Sequence, residues 1–127
     1  MVDKAWIRGI RGAATVTENS RQAIITATEQ LLTLMTRENE ICSEDIISII
    51  FSLTADLDAA FPAEAARQMG WNLVPLLCTT EIPVAGSMSK CIRVLMHVYT
   101  DRKQAAVRHV YLGEAARLRP DLNPGVS

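Results

Sequence analysis

Cys91-Ile-Arg-Val-Leu-Met-His-Val-Tyr-Thr100 is the stretch of this 127-residue chain that decides its fold class. Hydrophobic side chains occupy every second position from Ile92 to Val98, and Arg93 and His97 lie between them. Successive side chains of a strand point to opposite faces of a sheet. The alternation therefore predicts a strand over the whole stretch, with one buried face.

Four more segments have the composition of strands. Residues 6–16 mix β-branched, small and arginine residues, and Ile46–Leu53 is dense in Ile and Phe, as expected of a strand covered on both faces. Residues 71–77 contain Pro75, which cannot donate to the ladder, so this strand should lie at a sheet edge or contain a bulge. Residues 107–112 predict a last short strand.

Two segments between the strands are predicted to be helices. Asn19, with Gln22 three residues later, is typical of a capping box, and apolar residues follow at helical spacing to about Asn39. The second helix is predicted over residues 62–69, with a proline in its first turn and Gly70 at its end. The order β-α-β-α-β-β-β predicts an α/β or α+β fold with a mixed sheet flanked by helices.

Composition narrows the classes of partner. The net charge of −1 argues against nucleic acid or an anionic membrane as the main partner. A short chain with 49% hydrophobic residues is expected to bury surplus apolar surface against other subunits. Ten arginines against three lysines suit bidentate binding of carboxylates, although a compositional bias explains the excess equally well.

The sequence lacks the motifs of several kinds of catalysis. The sequence contains no GxGxxG, GxxxxGK[ST], HExxH or GxSxG, and His97 and His109 have no metal-ligand partner at useful spacing, so no cofactor or metal is expected. The three cysteines, Cys42, Cys78 and Cys91, form no CxxC pair. Without a signal peptide, they predict reduced thiols and a cytoplasmic location.

Six segments of the chain form a recognisable pattern. They are Ile7-Arg-Gly-Ile-Arg-Gly-Ala13, Phe61-Pro-Ala-Glu-Ala-Ala-Arg67, Cys78-Thr-Thr-Glu81, Lys90-Cys-Ile-Arg93, Arg108-His-Val-Tyr-Leu112 and Leu118-Arg-Pro-Asp-Leu122. In order and spacing, these segments resemble the small Bacillus-type (AroH-class) monofunctional chorismate mutases, and the match runs from about Trp6 to Leu122.

This resemblance implies a cofactor-free isomerase that converts chorismate to prephenate for phenylalanine and tyrosine biosynthesis. It also implies a homotrimer in which the three sheets form a pseudo-barrel, with active sites between neighbouring subunits. We expect residues 1–127 to form a single chorismate mutase domain, in which about 115–127 are a mobile C-terminal tail.

The resemblance assigns roles at the reacting part of the substrate. Arg93 is expected to face the breaking ether oxygen, and Glu81, with Cys78 nearby, to meet the ring hydroxyl. These three are the expected catalytic residues. Arg11 and Tyr111 are expected to bind the carboxylate of the enolpyruvyl side chain.

The resemblance implies four further substrate-binding residues, two from the adjoining subunit and two from the C-terminal tail. Phe61, an apolar wall, and Arg67, a positive charge, are expected from the adjoining subunit, whereas Leu118 and Arg119 lie on the tail that folds over the site. Two positions depart from the family pattern, which has lysine at Glu64 and threonine at the position of Leu77. A carboxylate at the pocket mouth weakens attraction for the ring carboxylate unless Arg67 or Arg119 compensates.

The implied reaction agrees with the missing motifs, because a pericyclic rearrangement needs no nucleophile. A protein can hold the substrate in its compact conformation and place fixed positive charge beside the ether oxygen. Two other functions remain open: a non-catalytic trimer that binds a small dicarboxylate, and an enamine or imine deaminase of similar trimeric fold. The pairing of Glu81 with Arg93 favours the mutase over both.

Overall fold

The structure, a computed structural model, describes residues 6–118 and contains there one five-stranded mixed sheet and two α-helices. The strand order in the sheet is β3-β2-β4-β1-β5, which confirms the predicted α+β class. In chain order the elements are β1 (Trp6–Thr15), α1 (Arg21–Glu38), β2 (Ile46–Leu53), α2 (Ala63–Gln68), β3 (Leu76–Thr80), β4 (Cys91–Thr100) and β5 (Val110–Leu112).

Strand β4 is the centre of the sheet, because it pairs antiparallel with both β1 and β2. The two outer pairs, β3 on β2 and β5 on β1, are parallel. The predicted alternation of β4 is confirmed. Its apolar positions from Ile92 to Val98 are at most 3% exposed, whereas Arg93 and Leu95 between them are exposed.

Both helices cover the same face of the sheet. Helix α1 packs Leu31, Leu32 and Met35 into the main core, and α2 adds Ala63 and Ala66 to the same cluster. The core therefore lies between one helical layer and the face to which the apolar positions of β4 point. In the described part of the chain, no helix is long and apolar enough to cross a membrane.

The opposite, open face of the sheet carries large hydrophobic side chains that are exposed in the single chain. These are Ile7, Leu77, Leu95 and Tyr99. One end of this face is covered by a 3₁₀-helix, Gly113–Arg117, beneath which Ala13, Cys91, Tyr111 and Ala115 form a buried cluster.

The structure corrects the predictions for two strands. Strand β3 runs from Leu76 to Thr80 rather than over residues 71–77. It begins after Pro75 because proline has no amide to donate, although the Pro75 carbonyl accepts from the amide of Ile49 on β2 at 3.0 Å. The predicted edge position of this strand is confirmed. The prediction that strand β2 is covered on both faces is only half confirmed. Ile49 and Phe51 are fully buried on the helix side, but Ile50 on the open face is only half-buried.

The ends of other predicted helices and strands also differ in the structure. Strand β5 has three residues rather than the predicted six, and α2 is shorter by one residue at each end, although Gly70, with φ of +85°, ends it as predicted. Ala115 in the 3₁₀-helix is fully buried, so the packed part of the chain extends into the stretch predicted as tail. Arg119 lies outside the described residues.

Helix α1 is capped by Ser20 and not by Asn19. The Ser20 hydroxyl accepts a hydrogen bond from the amide of Ala23 at 3.1 Å. Asn19 instead binds the loop after β2, where its side-chain oxygen accepts from the amides of Asp58 and Ala59. The serine is therefore free to satisfy one of the helix's first amides while the asparagine fixes the neighbouring loop.

We expect Ser20→Ala to lower the free energy of unfolding by about 1 kcal/mol, because an amide in the first turn loses its acceptor. Ser20→Asn is the matched control and should remain close to the unchanged chain, since asparagine caps equally well. Urea unfolding at equal protein concentration measures both. Equal losses in the two variants would contradict the capping role.

Candidate active site

Arg93 lies on the open face, in a row of residues that crosses the sheet. Ser52 on β2 and Ala13 on β1 lie opposite Arg93, and Tyr111 on β5 lies beyond Ala13. Side chains in one row of a sheet point to the same face. The small side chains on both sides of Arg93 leave space for its guanidinium above the sheet.

Glu81, just after β3, anchors this guanidinium. Its Oε1 lies 2.9 Å from Nε of Arg93, and its Oε2 accepts a hydrogen bond from the Ser52 hydroxyl at 2.5 Å. The amide of Glu81 donates to the carbonyl of Leu53 at 2.8 Å, which fixes the backbone at this point. The ion pair contacts Arg93 at Nε rather than at its terminal nitrogens, so it sets the direction of the side chain.

Arg93 lines a pocket of about 220 Å³ together with Arg11 and Tyr111. We call it the arginine pocket, and Ile50 and Leu95 contribute apolar surface to it. Two guanidinium groups and a phenol in a partly apolar hollow suit a small ligand with carboxylate groups, because the planar fork of arginine matches a carboxylate.

The backbone beside Arg11 is held from the β5 side. The amide of Arg11 donates to Nδ1 of His109 at 2.9 Å, so this histidine has a structural role here. Among residues 6–118, no group of three or more His, Cys, Asp or Glu side chains could hold a metal ion.

Cys91 is a buried thiol two positions before Arg93 on the same face of β4. Burial raises the pKa of the Cys91 thiol, while the charge and the hydrogen bond of Arg93 act in the opposite direction. Burial is the larger effect, so the thiol stays protonated at neutral pH.

The loops beside the arginine pocket are joined by Asp56. The Thr54 hydroxyl, first, and the Lys90 amide donate to the Asp56 carboxylate and lower its pKa. A carboxyl group with a lowered pKa stabilises the fold above its ordinary pKa, and this contribution is lost as the pH falls through the lowered value. At neutral pH the link between the end of β2 and the start of β4 is therefore intact.

A second hollow, of about 640 Å³, lies between β3 and the segment that leads into α2. Phe61, with 70% of its surface exposed, and Cys78 both line it, and we call it the Phe61 cleft. Cys78 packs against the helix-side core, whereas its neighbour Leu77 is exposed on the open face.

The predicted site residues therefore fall into two groups within one chain. Arg11, Glu81, Arg93 and Tyr111 come together at the arginine pocket, and Leu118 packs against the buried cluster that contains Tyr111. Cys78 does not join them.

The second group lies at the Phe61 cleft. Phe61 and Cys78 line this cleft, and Arg67 is exposed in the last turn of α2. Each group presents only part of the predicted set of substrate contacts.

Two residues of these hollows were not identified from the sequence. Ser52 is bound to Glu81. The feature of the sequence that could have pointed to it is a small polar residue in a strand rich in Ile and Phe. Arg21, at the start of α1, lines the Phe61 cleft and pairs with Glu64 at 2.9 Å. Nothing in the spacing of residues 21 and 64 points to this contact, because it depends on the packing of α1 against α2.

Comparisons with known proteins identify similar chains. The family model described as "Chorismate mutase type I" matches residues 7–122. A protein named "Chorismate mutase AroH" from Thermus thermophilus is 56% identical over 117 residues, which are 91% of this chain and 96% of that protein. Another of the same name from Bacillus subtilis (strain 168) is 48% identical over 118 residues, 92% of this chain and 93% of that protein.

A solved structure is similar in fold as well. The structure titled "Chorismate mutase from Clostridium thermocellum Cth-682" superposes with a TM-score of 0.86 at 51% sequence identity. The match covers 89% of this chain and 99% of that one.

We expect the three cysteines of the native protein to react with iodoacetamide in a fixed order. At about pH 8, exposed Cys42 should be alkylated first and Cys91 only after denaturant is added, because Cys91 is both buried and held protonated. Mass spectrometry of the cysteine-containing peptides measures the order. Alkylation of Cys91 as fast as that of Cys42 would contradict its assigned environment.

Proposed function

Because the chain belongs to the chorismate mutase type I family, we propose that it converts chorismate to prephenate in a site shared by two subunits. The resemblance identified from the six segments is confirmed by the family match. The observation that supports the mechanism best is the Arg93–Glu81 pair beside Arg11 and Tyr111 in one pocket. The chemistry requires no cofactor, and the product serves phenylalanine and tyrosine biosynthesis in the cytoplasm.

The central step is the breaking of the ether bond as a carbon–carbon bond forms within the same molecule. Negative charge grows on the ether oxygen in the transition state, and the Arg93 guanidinium faces that oxygen. A fixed cation stabilises this charge more than it stabilises the ground state, which lowers the barrier. Glu81 holds the cation in place through Nε, so little reorganisation accompanies the reaction.

The rest of the arginine pocket orients the substrate. Arg11 and Tyr111 bind the enolpyruvyl carboxylate, and Glu81 accepts a hydrogen bond from the ring hydroxyl. These contacts favour the compact conformation in which the reacting carbons meet, which removes part of the entropic barrier. Leu118, packed near Tyr111, closes the pocket from the side of the tail. The resemblance assigns substrate binding to Arg119 as well.

The remaining contacts come from a second copy of the chain in a homotrimer. Phe61 and Arg67 then meet the substrate from the adjoining subunit, and Cys78 lies close to the ring hydroxyl from the same side. Three observations support this arrangement: the two groups of site residues lie apart in one chain, the Phe61 ring is exposed, and the open face carries unburied hydrophobic side chains. A closed three-fold ring buries that face in a pseudo-barrel.

We expect Arg93→Lys to lower kcat by roughly 10²–10³, because a lysine keeps the charge but loses the rigid fork at the ether oxygen. Arg37→Lys is the matched control, since Arg37 is an exposed residue in the last turn of α1 and its variant should keep full activity. The loss of chorismate and the appearance of prephenate measure turnover. Unaltered turnover in Arg93→Lys would exclude this role. No turnover by the unchanged protein, with chorismate still bound, would instead support a non-catalytic dicarboxylate-binding trimer.

We also expect two inactive variants to complement each other. Arg93→Ala damages the arginine pocket, and Phe61→Asp places a negative charge in the Phe61 cleft, where it repels the dianionic substrate. When an equal mixture is unfolded and refolded together, about a quarter of the shared sites combine two undamaged halves, so about a quarter of the activity should return. Separately refolded variants mixed afterwards are the control. The absence of recovery in refolded mixed trimers would show that each site belongs to one chain.

A further inference from the structure

An ion pair bridges the mouth of the Phe61 cleft. Nη2 of Arg21 on α1 lies 2.9 Å from Oε1 of Glu64 on α2, and both residues line the cleft. The Arg21 side chain is 57% exposed in the single chain. Glu64, the carboxylate that departs from the family pattern, is therefore already paired with a cation from the other helix.

The position of Arg21 is unfavourable for the helix that contains it. Arg21 is the first residue of α1, and the first turn has no acidic residue. The amino end of a helix is the positive end of its dipole, so a cation there is destabilising. An exposed pair such as Arg21–Glu64 adds at most a small stabilisation in return. Stability alone is a poor explanation for an arginine at this position.

Charge in the cleft gives the better explanation. Among the described residues that line it, three side chains are charged, namely Arg21, Asp58 and Glu64, and Arg21 is the single cation. Asp58 is already bound by the side-chain amide of Asn19 at 2.7 Å. A guanidinium has five donors, and the contact with Glu64 uses one end of its fork, which leaves donors for a second carboxylate.

The proposed substrate needs such a group. Chorismate is a dianion, and the roles assigned to the arginine pocket account for its ether oxygen, its hydroxyl and one carboxylate. The ring carboxylate remains for the part of the site that comes from the adjoining subunit. Arg67 is exposed on α2 but does not line the cleft, whereas Arg21 does.

We infer that Arg21 binds the ring carboxylate of the substrate at the mouth of the Phe61 cleft, and that Glu64 is the positioning residue that holds its guanidinium there. This inference rests on the proposed function and on the shared site. It places the positive charge of the pocket mouth on α1 and its carboxylate partner on α2.

The first test is the steady-state kinetics of Arg21→Gln with chorismate. We expect KM to rise about tenfold with kcat within twofold, because the lost contact is made equally in the ground and transition states. The dependence of kcat/KM on salt should become shallower, since one attracting charge is gone. Arg37→Gln, at the far end of the same helix, is the matched control and should change neither quantity.

The double variant Arg21→Glu/Glu64→Arg separates this role from a structural one. It returns the cation to the cleft from the opposite helix, and KM should recover to within about threefold of the unchanged protein. Glu64→Gln alone keeps the cation but frees it, so a smaller rise in KM of about two- to threefold is expected.

If the pair only joins the two helices, Arg21→Gln and Glu64→Gln will lower Tm similarly while KM stays within twofold, and the inference is overturned although the proposed function stands. A complete lack of chorismate turnover by the unchanged protein is a different result, which overturns the proposed function and the inference together.

Discussion

The pairing of β4 between two antiparallel neighbours is the constraint on which the site depends. This register puts Arg93 in one row with Ser52 and Ala13 and turns its side chain away from the helices. A slip of one residue would exchange the two faces of the strand and bury the guanidinium in the core. The cost of burying an unpaired charge makes that register inaccessible. The buried apolar positions of β4 therefore also determine on which face of the sheet Arg93 lies.

The single chain keeps the arginine pocket and the Phe61 cleft apart. The arginine pocket offers cations on an open sheet face, and the Phe61 cleft offers an aromatic wall and Arg21 at the β3 side of the fold. Neither hollow alone encloses a dianion. Assembly across the apolar open face would serve two purposes at once, because the contact that removes Leu95 and Tyr99 from water also brings the two hollows together.

The sequence predicts the parts of the structure that depend on local patterns. The period of β4, the edge position of the strand near Pro75 and the end of α2 at Gly70 all follow from neighbouring residues. The cap of α1 was misassigned because Asn19 and Ser20 are both good caps, and a contact with Asp58 in a distant loop decides between them.

The grouping of site residues was less accessible from the sequence. A motif fixes the order of residues along the chain but does not show on which face of β3 Cys78 lies. That face follows from the pairing of β3 with β2. The Arg21–Glu64 contact requires the packing of two helices that are separated by a strand. The short outer strands have a further consequence: β3 begins after a proline and β5 has three residues, so neither edge is a good template for another strand. The molecule can thus expose hydrophobic side chains on the open face of its sheet with little risk of edge-to-edge pairing into fibrils.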